Sequence, residues 1–195
     1  LIISTLKSRS FIKHLVGFDD VLPNIMASKG YDKEKKILIY DPKIYDHKKN
    51  LWVRDTKPYQ PIIPTYLEVH KKYTEDIISI YEDDESKFIT VSVEHHSPIY
   101  AEEFLSLIIN QLNFLMKEKA LYESEKAISF LVPQLDKAMA DVKLSIISLI
   151  DSQLKIQMLA NSKEEYSVKY IDPPYIPEKK YKPKRAIICI LGTLL

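Results

Sequence analysis

Residues 97–104, Ser97-Pro98-Ile99-Tyr100-Ala101-Glu102-Glu103-Phe104, decide how this chain folds, because they read as the opening of one very long helix. Ser97 is a cap, Pro98 takes the first helical position where a missing N–H costs nothing, and Glu102 and Glu103 fall where the helix dipole favours acids. From there Phe104, Leu107, Ile108, Leu112, Leu115, Leu121, Ala127, Ile128, Leu131 and Leu135 keep a three-or-four spacing as far as Asp136, with no glycine among them. Forty helical residues reach about 60 Å, longer than a compact domain of this size needs. Pro133 removes one backbone bond near the far end and is expected to kink the helix there, after which the chain reverses around 136–141. A second apolar stripe, Val142, Ile146, Leu149, Ile150, Leu154 and Met158, then returns. The spacing predicts an antiparallel helical hairpin whose two stripes bury each other.

Working outward, Ile77-Ile78-Ser79-Ile80-Tyr81 and Phe88-Ile89-Thr90-Val91-Ser92-Val93-Glu94 are rich in β-formers and alternate in polarity, and the acidic turn 82–86 joins them into a β-hairpin. Thr65 caps a short helix over 66–74. Near the start, Leu6, Phe11, Ile12 and Leu15 share one helical face, so a single amphipathic helix is expected from Ser4 to Leu15, with Gly17 as its stop. Between these, residues 30–64 scatter Tyr31, Tyr40, Tyr45, Trp52 and Tyr59 among lysines, and Pro42, Pro58, Pro61 and Pro64 block long regular elements. A wrapped connection packed by its aromatics is expected there. Beyond the hairpin, Ser167-Val168-Lys169-Tyr170-Ile171 alternates like a strand and is expected to complete the small sheet begun at 77–94; residues 172–185 form an extended, proline-rich linker.

Composition narrows the function. With 46% hydrophobic and 28% charged residues over 195 positions, the chain is that of a folded body, and a formal charge of +1 supplies no field to recruit nucleic acid. One cysteine, Cys189, allows neither an intrachain disulfide nor a thiolate zinc site. Three glycines, Gly17, Gly30 and Gly192, leave no phosphate-cradling loop of the Walker or Rossmann kind. The start at Leu1 has no charged n-region or cleavage site and reads as a cut rather than a signal peptide. Residues 186–195, Ala-Ile-Ile-Cys-Ile-Leu-Gly-Thr-Leu-Leu, carry no charge and look like half a membrane span, so more chain is expected beyond them; the alternative is a buried C-terminal strand.

Candidate chemistry is sparse. His95 and His96, with Glu94 beside them and His70 upstream, are the obvious metal suspects, but neighbours in a strand point to opposite faces and do not chelate one ion easily. The acidic run 82–85 lacks the alternating ligands and glycine of a calcium loop. No nucleophile elbow, Cys-His pair or distinctive acid pair stands out. The expectation is therefore a non-enzyme with no catalytic, cofactor-binding or metal-binding residue. Five of the seven residues at 179–185 are Lys or Arg, which suits either anionic headgroups or a stop at the membrane edge.

The ordered series of strand pair, Ser92-Val93-Glu94-His95, long helix, Met158-Leu159-Ala160, Glu165-Tyr166, Ile171-Asp172-Pro173 and Pro177-Glu178 resembles the chain-length determinant (Wzz-type) family of polysaccharide co-polymerases. The spacing of Pro174, Pro177 and Pro183 before Gly192 is similar to that family's approach to its second membrane helix. The resemblance implies an α+β fold: a small, membrane-proximal mixed α/β base carrying a long antiparallel helical hairpin, followed by the start of a transmembrane helix. Its parts would be 1–96, the N-terminal part of the base; 97–162, the hairpin; 163–185, the closing strand and linker; and 186–195, the truncated span. It further implies a bacterial inner-membrane protein with residues 1–185 in the periplasm, no cofactor, and self-assembly into a homo-oligomeric ring. Other partners would be membrane lipid, met through 186–195 and an upstream span, and a polysaccharide polymerase with its growing glycan. The role would be to set the modal chain length of an O-antigen or exopolysaccharide; the alternative is the extracytoplasmic sensor or scaffold module of a polysaccharide-export tyrosine kinase.

Overall fold

The computed structural model describes residues 1–178, and the expected membrane-span start at 186–195 and the basic cluster at 179–185 lie outside them. The element order is α1 (Ile2–Leu6), α2 (Arg9–Leu15), α3 (Val21–Ala27), β1 (Ser28–Asp32), β2 (Ile37–Tyr40), β3 (Tyr45–Asp46), β4 (Leu51–Trp52), α4 (Tyr66–Lys72), a π-helical turn (Tyr73–Ile77), β5 (Ile78–Glu82), β6 (Ile89–Val93), α5 (Pro98–Lys137) and α6 (Ala140–Ser162). The fold is mixed α/β, with two long helices and small antiparallel sheets, as an α+β class requires. Among the described residues no helix is long and apolar enough to cross a membrane.

The long helix forms over the expected span. Ser97 Oγ accepts from the Tyr100 N–H at 3.1 Å, Pro98 is the first helical residue, and the helix passes through Pro133 and ends about one turn later at Lys137. Ala138 and Met139 make the reversal, and α6 packs back along α5. The returning stripe is rotated from the one expected. Ile146 and Ala160 are buried and Ile150 and Gln157 half-buried, whereas Val142, Leu149, Leu154 and Met158 face outward. Only one helix faces α6, so one row suffices to cover the contact, and the apolar residues beside that row are left over.

The β-hairpin is also as read: Ile78 pairs with Val93 and Glu82 with Ile89, in an antiparallel ladder. Three expectations need correction. The N-terminal helix is two helices, because Ser8 breaks it and caps α2 by accepting from the Phe11 N–H at 3.1 Å. Gly17 follows the end of α2 without adopting a left-handed φ; it fits because a Cβ there would come within 3.2 Å of the His14 carbonyl. Residues 28–52 hold two β-hairpins, β1–β2 and β3–β4, in place of an irregular wrap, preceded by the unforeseen α3. Pro23 is tolerated in α3 because it lies in the first turn, where no intrahelical N–H is required.

The third correction concerns Ser167–Ile171, which forms no strand; among the described residues each sheet has two strands only. Buried Asn113 on α5 captures this segment. Its Oδ1 accepts from the Ser167 and Val168 N–H groups, each at 2.8 Å, and its Nδ2 donates to the Val168 carbonyl at 3.0 Å. A backbone whose donors and acceptors are met by a side chain has no need of a strand partner.

The hydrophobic core gathers at the root of the long helix. Phe104, Ile108, Ile109 and Leu112 of α5 meet Leu6, Phe11, Ile12 and Leu15 of α1 and α2, Val21 and Ile25 of α3, Val69 of α4, and Tyr73, Ile77 and Ile78. Beyond Asn113 the only buried side chains on α5 and α6 are Ser124, Ile146 and Ala160. A packed base thus carries a two-helix arm.

Candidate interaction surfaces

His95 and His96 follow the end of β6, His95 half-buried and His96 exposed, with their ring centroids 6.0 Å apart in an edge-on contact. The Ser97 N–H donates to His95 Nδ1 at 3.2 Å, so that nitrogen is unprotonated and Nε2 carries the hydrogen. Nε2 lies 3.0 Å from the Asn24 carbonyl and 3.1 Å from Ser28 Oγ. Burial pushes the His95 pKa down, and the nearby positive charge of Lys72 adds to this. A neutral ring therefore ties the start of α5 to α3 and β1. His70 reaches the Lys7 carbonyl at 2.9 Å, and His14 reaches Gln111 Oε1 at 2.8 Å. His14, His70 and His95 each hold a different partner, and among the described residues no group of three or more His, Cys, Asp or Glu side chains is arranged to hold a metal ion. The acidic turn is closed from within, with Asp83 Oδ1 accepting from the Ser86 N–H and hydroxyl, both at 2.7 Å.

Arg54 and Glu68 form the best-buried ion pair among the described residues, at 2.7 Å. Glu68 also completes a capping box with Thr65, and its pKa is held down to about 2, first by the Arg54 guanidinium and then by hydrogen bonds from Thr65 and Gln60. The guanidinium has two further bonds to donate, and they hold the preceding loop: Nε to the Ile62 carbonyl at 2.6 Å and Nη2 to the Pro61 carbonyl at 2.8 Å. Arg54 was not singled out by the sequence. Its partner Thr65-x-x-Glu68 is a readable capping box, but the loop contacts depend on tertiary placement.

The surface of the arm is the most unusual feature. Leu144, Ile147, Leu154 and Met158 of α6 are all exposed, Leu144 by 73% and Met158 by 70%. Their spacing, with Asp151 completing it, is three, four, three and four, that of a second helix-packing seam beside the row already used against α5. On α5, Phe114, Tyr122 and Phe130 are likewise exposed. Isolated surface leucines need no explanation, whereas a repeated row does. What this arrangement can do is bind another helix along its length.

Comparison with known protein families and with curated protein sequences finds no match to this chain.

Proposed function

We propose that this protein is a non-catalytic, oligomeric inner-membrane co-polymerase that regulates the chain length of a surface polysaccharide together with a polymerase. The observation that carries the reading is the second seam, apolar except for Asp151, on a long α-helical arm mounted on a small α/β base. A seam of this kind is stable only when covered, and copies of the same arm set side by side in a ring would cover it. The sequence features around 158–178 that resemble the chain-length determinant family support the same reading, as does the uncharged run at 186–195, which suits a tether in lipid. In this role the ring acts as a scaffold for the polymerase and its glycan, and the periplasm is the compartment of residues 1–185.

Deletion of the gene tests the proposal through the size distribution of the cell's surface polysaccharide. The expected result is a shifted modal length with sugar linkage still proceeding. Complete arrest of synthesis with the polymerase intact would overturn it in favour of a catalytic or export role.

A further inference from the structure

Among the described residues, His95 is the one histidine whose ring nitrogen accepts a hydrogen bond from the backbone. His14 and His70 donate, to Gln111 Oε1 and to the Lys7 carbonyl, and a donating nitrogen keeps its bond when the other nitrogen of the ring gains a proton. His95 has no such freedom, because Nδ1 accepts from the Ser97 N–H while Nε2–H faces the Asn24 carbonyl and Ser28 Oγ. Its partner is the joint on which the long helix starts. Ser97 is 3% exposed, its Oγ accepts from the Tyr100 N–H, and its carbonyl accepts from the Ala101 N–H at 3.0 Å. The His95 ring also lies 4.5 Å from that of Tyr100, which stacks at 5.4 Å on Phe104 in the core.

We propose that His95 is an acid-released latch: a proton added at Nδ1 drives the ring out of its site and frees α3 and β1 from the start of α5. The proton comes from solvent and takes the lone pair that the Ser97 N–H uses, so two donors face each other and a buried N–H is left unpaired. The surroundings offer the new charge no counterion. Lys72 of α4, a cation itself within the field of Asp76, opposes it, as does His96; Tyr100 of α5 is kept neutral by burial. From α3 and β1 the ring meets an uncharged carbonyl and an uncharged hydroxyl, and Glu94, the nearest carboxylate along the chain, is exposed. A charged ring that swings out to water gives up Asn24 and Ser28, the two contacts that tie α3 and β1 to this point. Burial holds the ring's pKa below the ordinary 6.5, so the latch contributes stability above that value and loses it as the pH falls from there towards the folded value. The latch stands independently of the proposed function.

Hydrogen exchange of the full chain, followed by mass spectrometry over 24–32 and 94–101 from about pH 8 to about pH 5 and corrected for intrinsic exchange, tests the latch. The expected result is protection of both segments that falls below 6.5, by up to about tenfold for each pH unit. In H95Q, whose amide can accept and donate but takes up no proton, protection should stay level over the same range. Protection in the wild type that is level with pH, or a fall as steep in H95Q, overturns the proposal. Where H95Q fails to fold, NMR titration of the wild-type ring decides: a pKa below 6.5 with accompanying loss of protection supports the latch, and a pKa at or above 6.5 overturns it.

Discussion

Glu68 accepts five hydrogen bonds: two from Arg54, two from Thr65 and one from Gln60. Each favours the carboxylate over the acid, and together they outweigh the desolvation that opposes it. A group whose folded pKa lies below its unfolded value contributes stability above the unfolded value and loses it as pH falls towards the folded one. Here the window runs from the ordinary 4.5 down to about 2. E68Q should therefore lower stability at neutral pH by about 2 kcal/mol and flatten the acid limb of the stability profile in that window, as read by urea unfolding at a series of pH values. An acid limb as steep as the wild type's would show that Glu68 is not its source. The Thr65 cap was legible because it is local, and Glu68 three residues on was an unused signal for a capping box; Arg54 was not legible, because nothing in the spacing of residues 54 and 68 announces that the chain between them folds back. The strand alternation expected to part His95 from His96 does not reach them, because β6 ends at Val93 and the two rings meet edge-on beyond it. The three-way bonding of His95 depends on α3 and β1 arriving from elsewhere.

At the scale of elements, the three β-hairpins share one turn. Asp32, Asp46 and Asp83 open them, their carboxylates accepting backbone N–H groups two or three residues on, and Lys36, Asn50 and Lys87 close them four residues later with a left-handed φ. That repeated spacing was a signal available in the sequence for the two hairpins of 28–52. It was hidden because β3 and β4 are two residues each, too short for alternation to show. The long helices were easy to see for the opposite reason, since a three-or-four period sustained over many turns has few competing explanations. How they meet was not. Ser124 is almost fully buried on α5, at a point where the arm is only two helices thick. A small residue there lets the backbones approach, so S124L should push them apart and cost about 1–3 kcal/mol, measured by thermal or urea unfolding. A neutral effect would mean that the arm repacks freely at this level.

The whole molecule combines a core built from six elements, α1 to α4, the π-helical turn and β5, around the root of α5 with an arm that buries little beyond one row on each helix. If the second seam is the contact between copies, L144E/I147E should leave the helical content of the single chain unchanged, because both side chains are exposed in it, while shifting sedimentation from oligomer to monomer. An oligomer that survives the double substitution would place the contact elsewhere. The sequence by itself determined the α+β class, the position of the hairpin 78–93 and the extent of the two long helices, since caps and periodicity act within a few residues of where they are written. Only the tertiary structure decided which face of α6 turns inward, where the backbone of 167–168 finds its partners, and how Arg54 closes the loop before α4. Each of these is a competition between groups far apart in the chain, and its winner is set by which surfaces the fold brings together.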